Sequence, residues 1–236
     1  MRLDRYLHEA GVGTRREVNL IIRARRVRVD GEEVRDGARH VRDGASVELD
    51  GAVVAPIGKL ILLFYKPAGF VTSTRDENAT IYSVLPKLPA DVLPVGRLDK
   101  DTEGLLLLTN DGQLLHRLTS PRWHVEKEYV AELRDAIEPG AELTLLKPLD
   151  LGNGETSRGA IAAERQNSNT IKIVIDEGKY HQVKRMVRAI GNEVIYLKRT
   201  RVGPVSLGGA ERGSVRSLTK DEENALRSAV GWWGKD

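Results

Sequence analysis

The chain of 236 residues is 40% hydrophobic and 30% charged, with a formal net charge of +3, a balance that specifies a globular protein with a substantial core and a wet surface. Cysteine is absent, which excludes disulfides, thiolate catalysis and every cysteine-containing zinc site. No run approaches the ~18 apolar residues that a membrane span requires, and the start Met1-Arg2-Leu3-Asp4-Arg5 has no apolar signal region, so the reading is a cytoplasmic protein.

Leu3, Leu7 and Ala10 recur at helical spacing, and Gly11 stops that helix. Thr14-x-x-Glu17 predicts a capping box opening a second helix, with Val18, Ile21 and Ile22 on its buried face. At ~100° per residue, Arg16 and Arg23 fall roughly opposite that face, with Arg15 and Arg26 on its flank. Together with Arg25 and Arg28 they form a cluster in which Glu17 is the only acid. Such a cluster is either a nucleic-acid contact surface or a solvated helix face. Val27 to Val29, the turn Asp30-Gly31 and Val34 predict a small hairpin, and Val47 to Leu49 another short strand. Residues 51–59 read as a linker.

Leu60 to Tyr65 reads as a buried strand that ends at Lys66-Pro67, because proline cannot donate to a ladder. Phe70 to Thr72 is placed to resume it, and residues 86–94 read as a surface loop. The next segment, Val95-Gly96-Arg97-Leu98-Asp99-Lys100-Asp101-Thr102-Glu103-Gly104, is polar and glycine-bounded, and it enters four leucines, Leu105 to Leu108. Those four read as a strand buried on both faces, the kind of scaffold on which a loop presents reactive groups. Asp101 and Glu103 read as surface carboxylates. Leu114, Leu115 and Leu118 then continue at helical spacing as far as Ser120-Pro121.

Lys127 to Leu133 alternates as a half-buried strand with Tyr129, Ala131 and Leu133 on one face, and Ile171, Ile173 and Ile175 form a second such pattern. Residues 153–159 between them read as loop. Val183, Met186, Val187 and Ile190 predict a helix that Gly191 ends, with Lys184 and Arg188 on a different stripe. Val194 to Leu197 and Val205 to Leu207 predict further strands, and Thr219 caps a last helix. Strands scattered among a few helices, without regular alternation, predict an α+β fold.

Several chemistries drop out. His124-Val125-Glu126 has the His-x-Glu shape of zinc deaminases, but that metal site needs cysteines. The other histidines show no paired helical spacing, so no metal is expected. There is no phosphate-binding loop ending in Gly-Lys-Ser/Thr, and Gly11-Val12-Gly13 has no strand before it. A nucleophile is thereby restricted to carboxylate, hydroxyl, lysine or histidine.

Two resemblances bear on the whole chain. Arg2-Leu3-Asp4, Gly13-Thr14-Arg15-Arg16-Glu17 and Val27-Arg28-Val29-Asp30-Gly31 resemble the S4 RNA-binding domain, over residues 1–50. Gly96-Arg97-Leu98-Asp99, with Thr102-x-Gly104-Leu105-Leu106 and Thr109-Asn110-Asp111-Gly112 behind it, resembles the catalytic motif of RNA pseudouridine synthases, and more narrowly of the RsuA-like ribosomal-RNA family. Lys66-Pro67-x-Gly69, Glu126-Lys127-x-Tyr129 and the block Glu177 to Met186 agree with that family in order and spacing. The resemblance implies three segments: an S4-like domain at 1–50, a linker at 51–59, and a catalytic domain at 60–236 built on a mixed, largely antiparallel sheet with flanking helices.

The resemblance further implies isomerisation of a uridine within ribosomal RNA, with no cofactor, by a monomer that needs no membrane. The small-subunit RNA is the preferred substrate. Large-subunit RNA, and a non-catalytic ribosome-assembly role, are the alternatives. By the same resemblance Asp99 is the nucleophile, Tyr129 stacks on the target base, and Arg97 and Lys184 are the cations beside Asp99, with Arg185 a substitute for Lys184. Arg15, Arg16, Arg23, Arg26 and Lys66 are the expected RNA contacts. An Asp in a closed pocket needs such a cation, because desolvation raises a carboxylate pKa by up to ~3–5 units.

Overall fold

The computed structural model describes residues 1–73, 79–89 and 91–233. Two compact units divide the chain, Met1–Leu60 with Lys87–Leu93, and Ile61–Pro86 with Pro94–Asp236.

In the first unit, helices α1 (Leu3–Glu9) and α2 (Arg15–Arg23) pack on four short strands, β1 (Val27–Val29), β2 (Glu32–Glu33), β3 (Val47–Leu49) and β4 (Ala52–Val53). The capping box is complete: the Thr14 N–H donates to the Glu17 carboxylate at 2.7 Å and the Glu17 N–H to the Thr14 hydroxyl at 3.4 Å. Two orphan donors of the first turn are thereby satisfied. Leu3 and Leu7 meet Val18 and Ile22 in a small core closed by Val27, Val29 and Val47. The sheet runs β2-β1-β3-β4. Asp30 and Gly31 both take positive φ, 52° and 82°, as a two-residue turn matched to strand twist requires. Ala52 and Val53, read as linker, instead pair with β3 and form the sheet edge.

The second unit is built on a sheet of order β11-β12-β8-β13-β7-β5-β15. Its strands are β5 (Ile61–Lys66), β7 (Glu103–Thr109), β8 (Lys127–Leu133), β11 (Ala162–Arg165), β12 (Thr170–Ile175), β13 (Val194–Val202) and β15 (Val215–Ser217). Short strands β6 (Leu93–Pro94), β9 (Leu149–Asp150), β10 (Thr156–Ser157) and β14 (Val205–Ser206) complete the set. Helices α3 (Gly112–Thr119), α4 (Ala141–Leu145), α5 (Gln182–Ala189) and α6 (Lys220–Ala229) flank it. Every residue of β7 is buried. Leu105 and Leu107 join Ile61, Leu63, Leu114, Leu118, Leu226 and Val230 in one apolar cluster, each such side chain contributing ~1.5–3 kcal/mol by burial.

All the main pairings are antiparallel except β7 with β13, which is parallel and lasts only from Glu103 to Gly104. Beyond it the Leu107 carbonyl accepts instead from the Val95 N–H at 2.8 Å, so the 95–102 segment enters where the parallel pairing stops. Phe70 to Thr72 does not resume a strand; Val71 makes only an isolated bridge to Thr80. The predicted strand at 194–197 extends through Val202, and the predicted loop at 153–159 contains β10, paired with β9.

Candidate active site

Asp99 lies on the segment leading into β7, and buried polar groups fix the backbone on both sides of it. The Lys66 ammonium, at the end of β5, donates to the carbonyls of Thr102 at 2.7 Å, Asp99 at 3.0 Å, Pro67 at 3.1 Å and Lys100 at 3.4 Å. The Thr72 hydroxyl donates to the Leu98 carbonyl at 3.0 Å and accepts from the Leu98 N–H at 3.2 Å. The Gly69 N–H closes the clamp on the Lys100 carbonyl. The sequence reading of Lys66 as an RNA contact is corrected here: its side chain is 0% exposed, and an ammonium surrounded by loop carbonyls cannot reach a phosphate.

The Asp99 carboxylate faces two groups from α5 and its N-terminus. Lys184 Nζ stands 3.1 Å from it and His181 Nε2 3.4 Å. Lys184 also meets Asp101 at 2.6 Å. Burial works against the Lys184 charge, but the hydrogen bond to Asp101 and the Asp99 charge outweigh it, so its pKa stands above the ordinary value. His181 occupies the left-handed region at φ 48° as the N-cap of α5, and its ring stacks on Tyr180 at 3.8 Å. The turn before α5 is held by Gln182, which accepts from the Lys179 N–H and donates to Glu177 at 2.7 Å. Glu177 is in turn held by Arg158 at 2.9 Å.

The pocket beside Asp99 has a volume of about 1290 Å³, more than the ~300–1,000 Å³ of small-molecule sites. Its floor is a sheet face. Register places Ile173 beside Tyr129, Tyr129 beside Arg199, Arg199 beside Gly104, and Gly104 beside Lys66. A bulge at Thr200 offsets β13 by one residue, which brings Val202 beside Lys127 and onto the same face as Arg199. Gly104 has φ 112°, and a Cβ there would stand 2.2 Å from the Arg199 carbonyl oxygen. Only glycine permits this approach of β7 to β13. Tyr129 is 8% exposed and lines the pocket with Lys127, Leu197 and Arg199. Burial and the Arg199 charge push Lys127 down to about 8.

The other expected residues divide. Between Lys184 and Arg185, Lys184 is the one at Asp99. Arg185 is committed to the Leu151 and Gly152 carbonyls at 2.8 and 2.9 Å and to Glu155. Arg97 lines the pocket but is exposed, and among the described residues it forms no ion pair with Asp99; the second side chain beside that carboxylate is His181. Glu103, read as surface, is 3% exposed. It accepts from Tyr65 at 2.7 Å, Tyr196 at 2.5 Å and Arg212 at 3.2 Å. Burial opposes its charge, but these donors hold its pKa below the usual carboxylate range.

On α2, Arg15, Arg16 and Arg23 are exposed and, among the described residues, form no ion pair. Arg26 is exposed but engaged by Asp50 at 2.5 Å. Sequence reasoning missed three site residues. His181 was visible within the Glu177 to Met186 block. Lys127 and Arg199 were hidden in strand patterns whose polar members read as solvent-facing. Among the described residues no cluster of three or more His, Asp or Glu is arranged to hold a metal ion.

A carboxylate beside Lys184 and His181, on a loop clamped next to an aromatic-bearing sheet face, is a candidate carboxylate-centred site, and the same chain carries a separate small unit with exposed arginines. The RNA pseudouridylate synthase family matches residues 60–189, and the S4 domain matches residues 1–47. An uncharacterized RNA pseudouridine synthase of Bacillus subtilis is 41% identical, over 96% of this chain and 98% of that protein. The ribosomal small subunit pseudouridine synthase A of Vibrio parahaemolyticus is 40% identical, over 96% and 99%. The ribosomal large subunit pseudouridine synthase B of B. subtilis is 33% identical, over 96% of each. A crystal structure of a pseudouridylate synthase superposes with a TM-score of 0.68 at 35% identity, covering 96% of this chain and 99% of that one. The chain belongs to the RsuA-like RNA pseudouridine synthases, isomerases that carry an S4 domain ahead of the catalytic domain.

Proposed function

We propose that this protein isomerises a uridine of ribosomal RNA, in the small subunit, to pseudouridine, acting in the cytoplasm as a monomer with Asp99 as its nucleophile. One observation carries the reading: the Asp99 carboxylate stands between Lys184 and His181 in a pocket that Tyr129 also lines. In the reaction the C1′–N1 bond breaks, the uracil turns, and a C1′–C5 bond forms. C5 releases its proton and N1 takes one up, so the atoms of the uridine are conserved. Lys184 stabilises the negative charge on Asp99 within the pocket. The Tyr129 ring offers a flat surface that holds a base while leaving it free to rotate. Extruding the target nucleotide costs a few kcal/mol, which phosphate contacts from Arg15, Arg16 and Arg23 help to offset.

The small-subunit name of the V. parahaemolyticus relative supports that substrate. The large-subunit name of the B. subtilis relative favours the second reading, the same chemistry on large-subunit RNA. Tritium release from RNA labelled at C5 of uridine tests both, with small- and large-subunit fragments assayed in parallel. Release from the small-subunit fragment is expected, and release from the large-subunit fragment alone would move the substrate. Asp99→Asn, which removes nucleophilicity and hardly changes shape, is expected to abolish release while RNA affinity stays near wild type. Tight binding with no release from either RNA would make the protein an assembly factor instead.

A further inference from the structure

Asp99 already has Lys184 Nζ at 3.1 Å and the His181 ring at 3.4 Å, yet the pocket lining holds a further, buried cation. Arg199 is 3% exposed, and its Nε donates to the Leu105 carbonyl at 2.7 Å. Its Nη2 is sealed from solvent without a hydrogen-bond partner, and among the described residues no carboxylate lies within ion-pair distance of the guanidinium. Buried polar groups are nearly always partnered, and an uncompensated buried cation is costlier still. Among the described residues a further orphaned buried atom, Thr102 Oγ1, belongs to another residue lining the same pocket. Arg199 also stands directly across from Tyr129 in the sheet register. Both side chains therefore share the face that receives the base.

We infer that Arg199 is a catalytic residue whose guanidinium donates to a carbonyl oxygen of the uracil ring while that ring carries negative charge. The inference rests on the reading of this pocket as the site of uridine isomerisation. If an Asp99 oxygen bonds to C1′, the electron pair of the breaking C1′–N1 bond stays with the uracil, spread over N1, O2 and O4. Attack of C5 on C1′ then expels Asp99, C5 loses its proton to solvent, and N1 gains one. If Asp99 adds instead at C6, the π-electron pair moves onto O4. Either route puts charge on a ring carbonyl, and a desolvated guanidinium fixed in advance by the sheet stabilises charge that develops only during reaction.

The test compares Arg199→Met with wild type in single-turnover reactions on two RNAs, one with uridine and one with 5-fluorouridine at the target, following loss of the N-glycoside. Fluorine withdraws electrons and stabilises the ring anion, so the second substrate depends less on Arg199. On uridine RNA the variant is expected to lose ~10²–10³ in rate, the cost of removing one such donor. On 5-fluorouridine RNA the loss is expected to be at least several-fold smaller, with RNA affinity unchanged. Arg199→Lys, which retains charge without the fork, is expected to fall between. Equal losses on both RNAs would assign Arg199 a structural role only, and undiminished turnover would remove it from the reaction. Wild-type protein inactive on both RNAs would overturn the reading of the pocket itself.

Discussion

Lys66 carries a charge where charge is costly. Burial pushes its pKa down to about 8, against the pull of Asp101 and Asp99, while an unfolded lysine titrates near ~10.4. Between those values the unfolded chain binds more protons than the folded one. The Lys66 contribution to stability is therefore least below pH 8 and rises with pH up to ~10.4. The penalty is tolerated because an ammonium has three donors, and the carbonyls around it include that of Asp99 itself. Lys66→Met is expected to remove the Lys66 share of that rise, leaving the share of Lys127, as read by urea titrations at pH 8 and 10. It is also expected to lower turnover ~10²-fold, the cost of misplacing a reacting group by an ångström. A pH slope and a turnover both equal to wild type would detach Lys66 from the active loop.

At the scale of elements, the close approach of β7 and β13 makes a sharp demand on sequence. A Cβ at Gly104 would overlap the Arg199 backbone, and its φ of 112° lies where side chains are strained. Gly112, at the start of α3, has an ordinary φ, and a Cβ added there would meet nothing within 4 Å. Gly104→Ala is therefore expected to cost ~3 kcal/mol or more, combining strain with lost pairing. Gly112→Ala is expected to stabilise by ~0.4–1 kcal/mol through the unfolded state. Urea unfolding distinguishes them, and equal values would mean that the strand contact yields freely. Elements of this kind also mark how far the sequence could be read. The leucine run of β7, the Thr14 capping box and the Ile171 to Ile175 alternation were legible because each pattern is local and matches its burial. The length of β13 was not, since Lys198, Arg199, Thr200 and Arg201 look solvent-facing until strands on both sides cover them and a bulge shifts their phase. Glu103 was misread for the same reason, because its donors come from residues 65, 196 and 212, distant in the chain. Asp99 stands out through a local motif, whereas the place of Arg199 on the pocket face needs the register of three strands.

For the whole molecule, the proposed function assigns catalysis and RNA attraction to different parts of the chain, and salt separates them. Each phosphate contact releases condensed counterions, so the logarithm of affinity falls with the logarithm of salt by ~0.7–0.9 per contact. Arg16 and Arg23 are exposed on α2, whereas Arg26 already commits its fork to Asp50. Replacing Arg16 and Arg23 together with glutamine is expected to weaken RNA binding and reduce the slope by about 1.4–1.8. Arg26→Gln is expected to reduce it by less than one contact, because Asp50 must first be displaced. Asp99→Asn is expected to leave the slope unchanged while abolishing turnover, since in the proposed reaction that carboxylate meets the base or sugar and a carboxylate does not pair with a phosphate. Binding isotherms across a salt series check all three. A double variant with the wild-type slope would make α2 a solvated face, and RNA attraction would then have to come from the exposed cations of the catalytic unit.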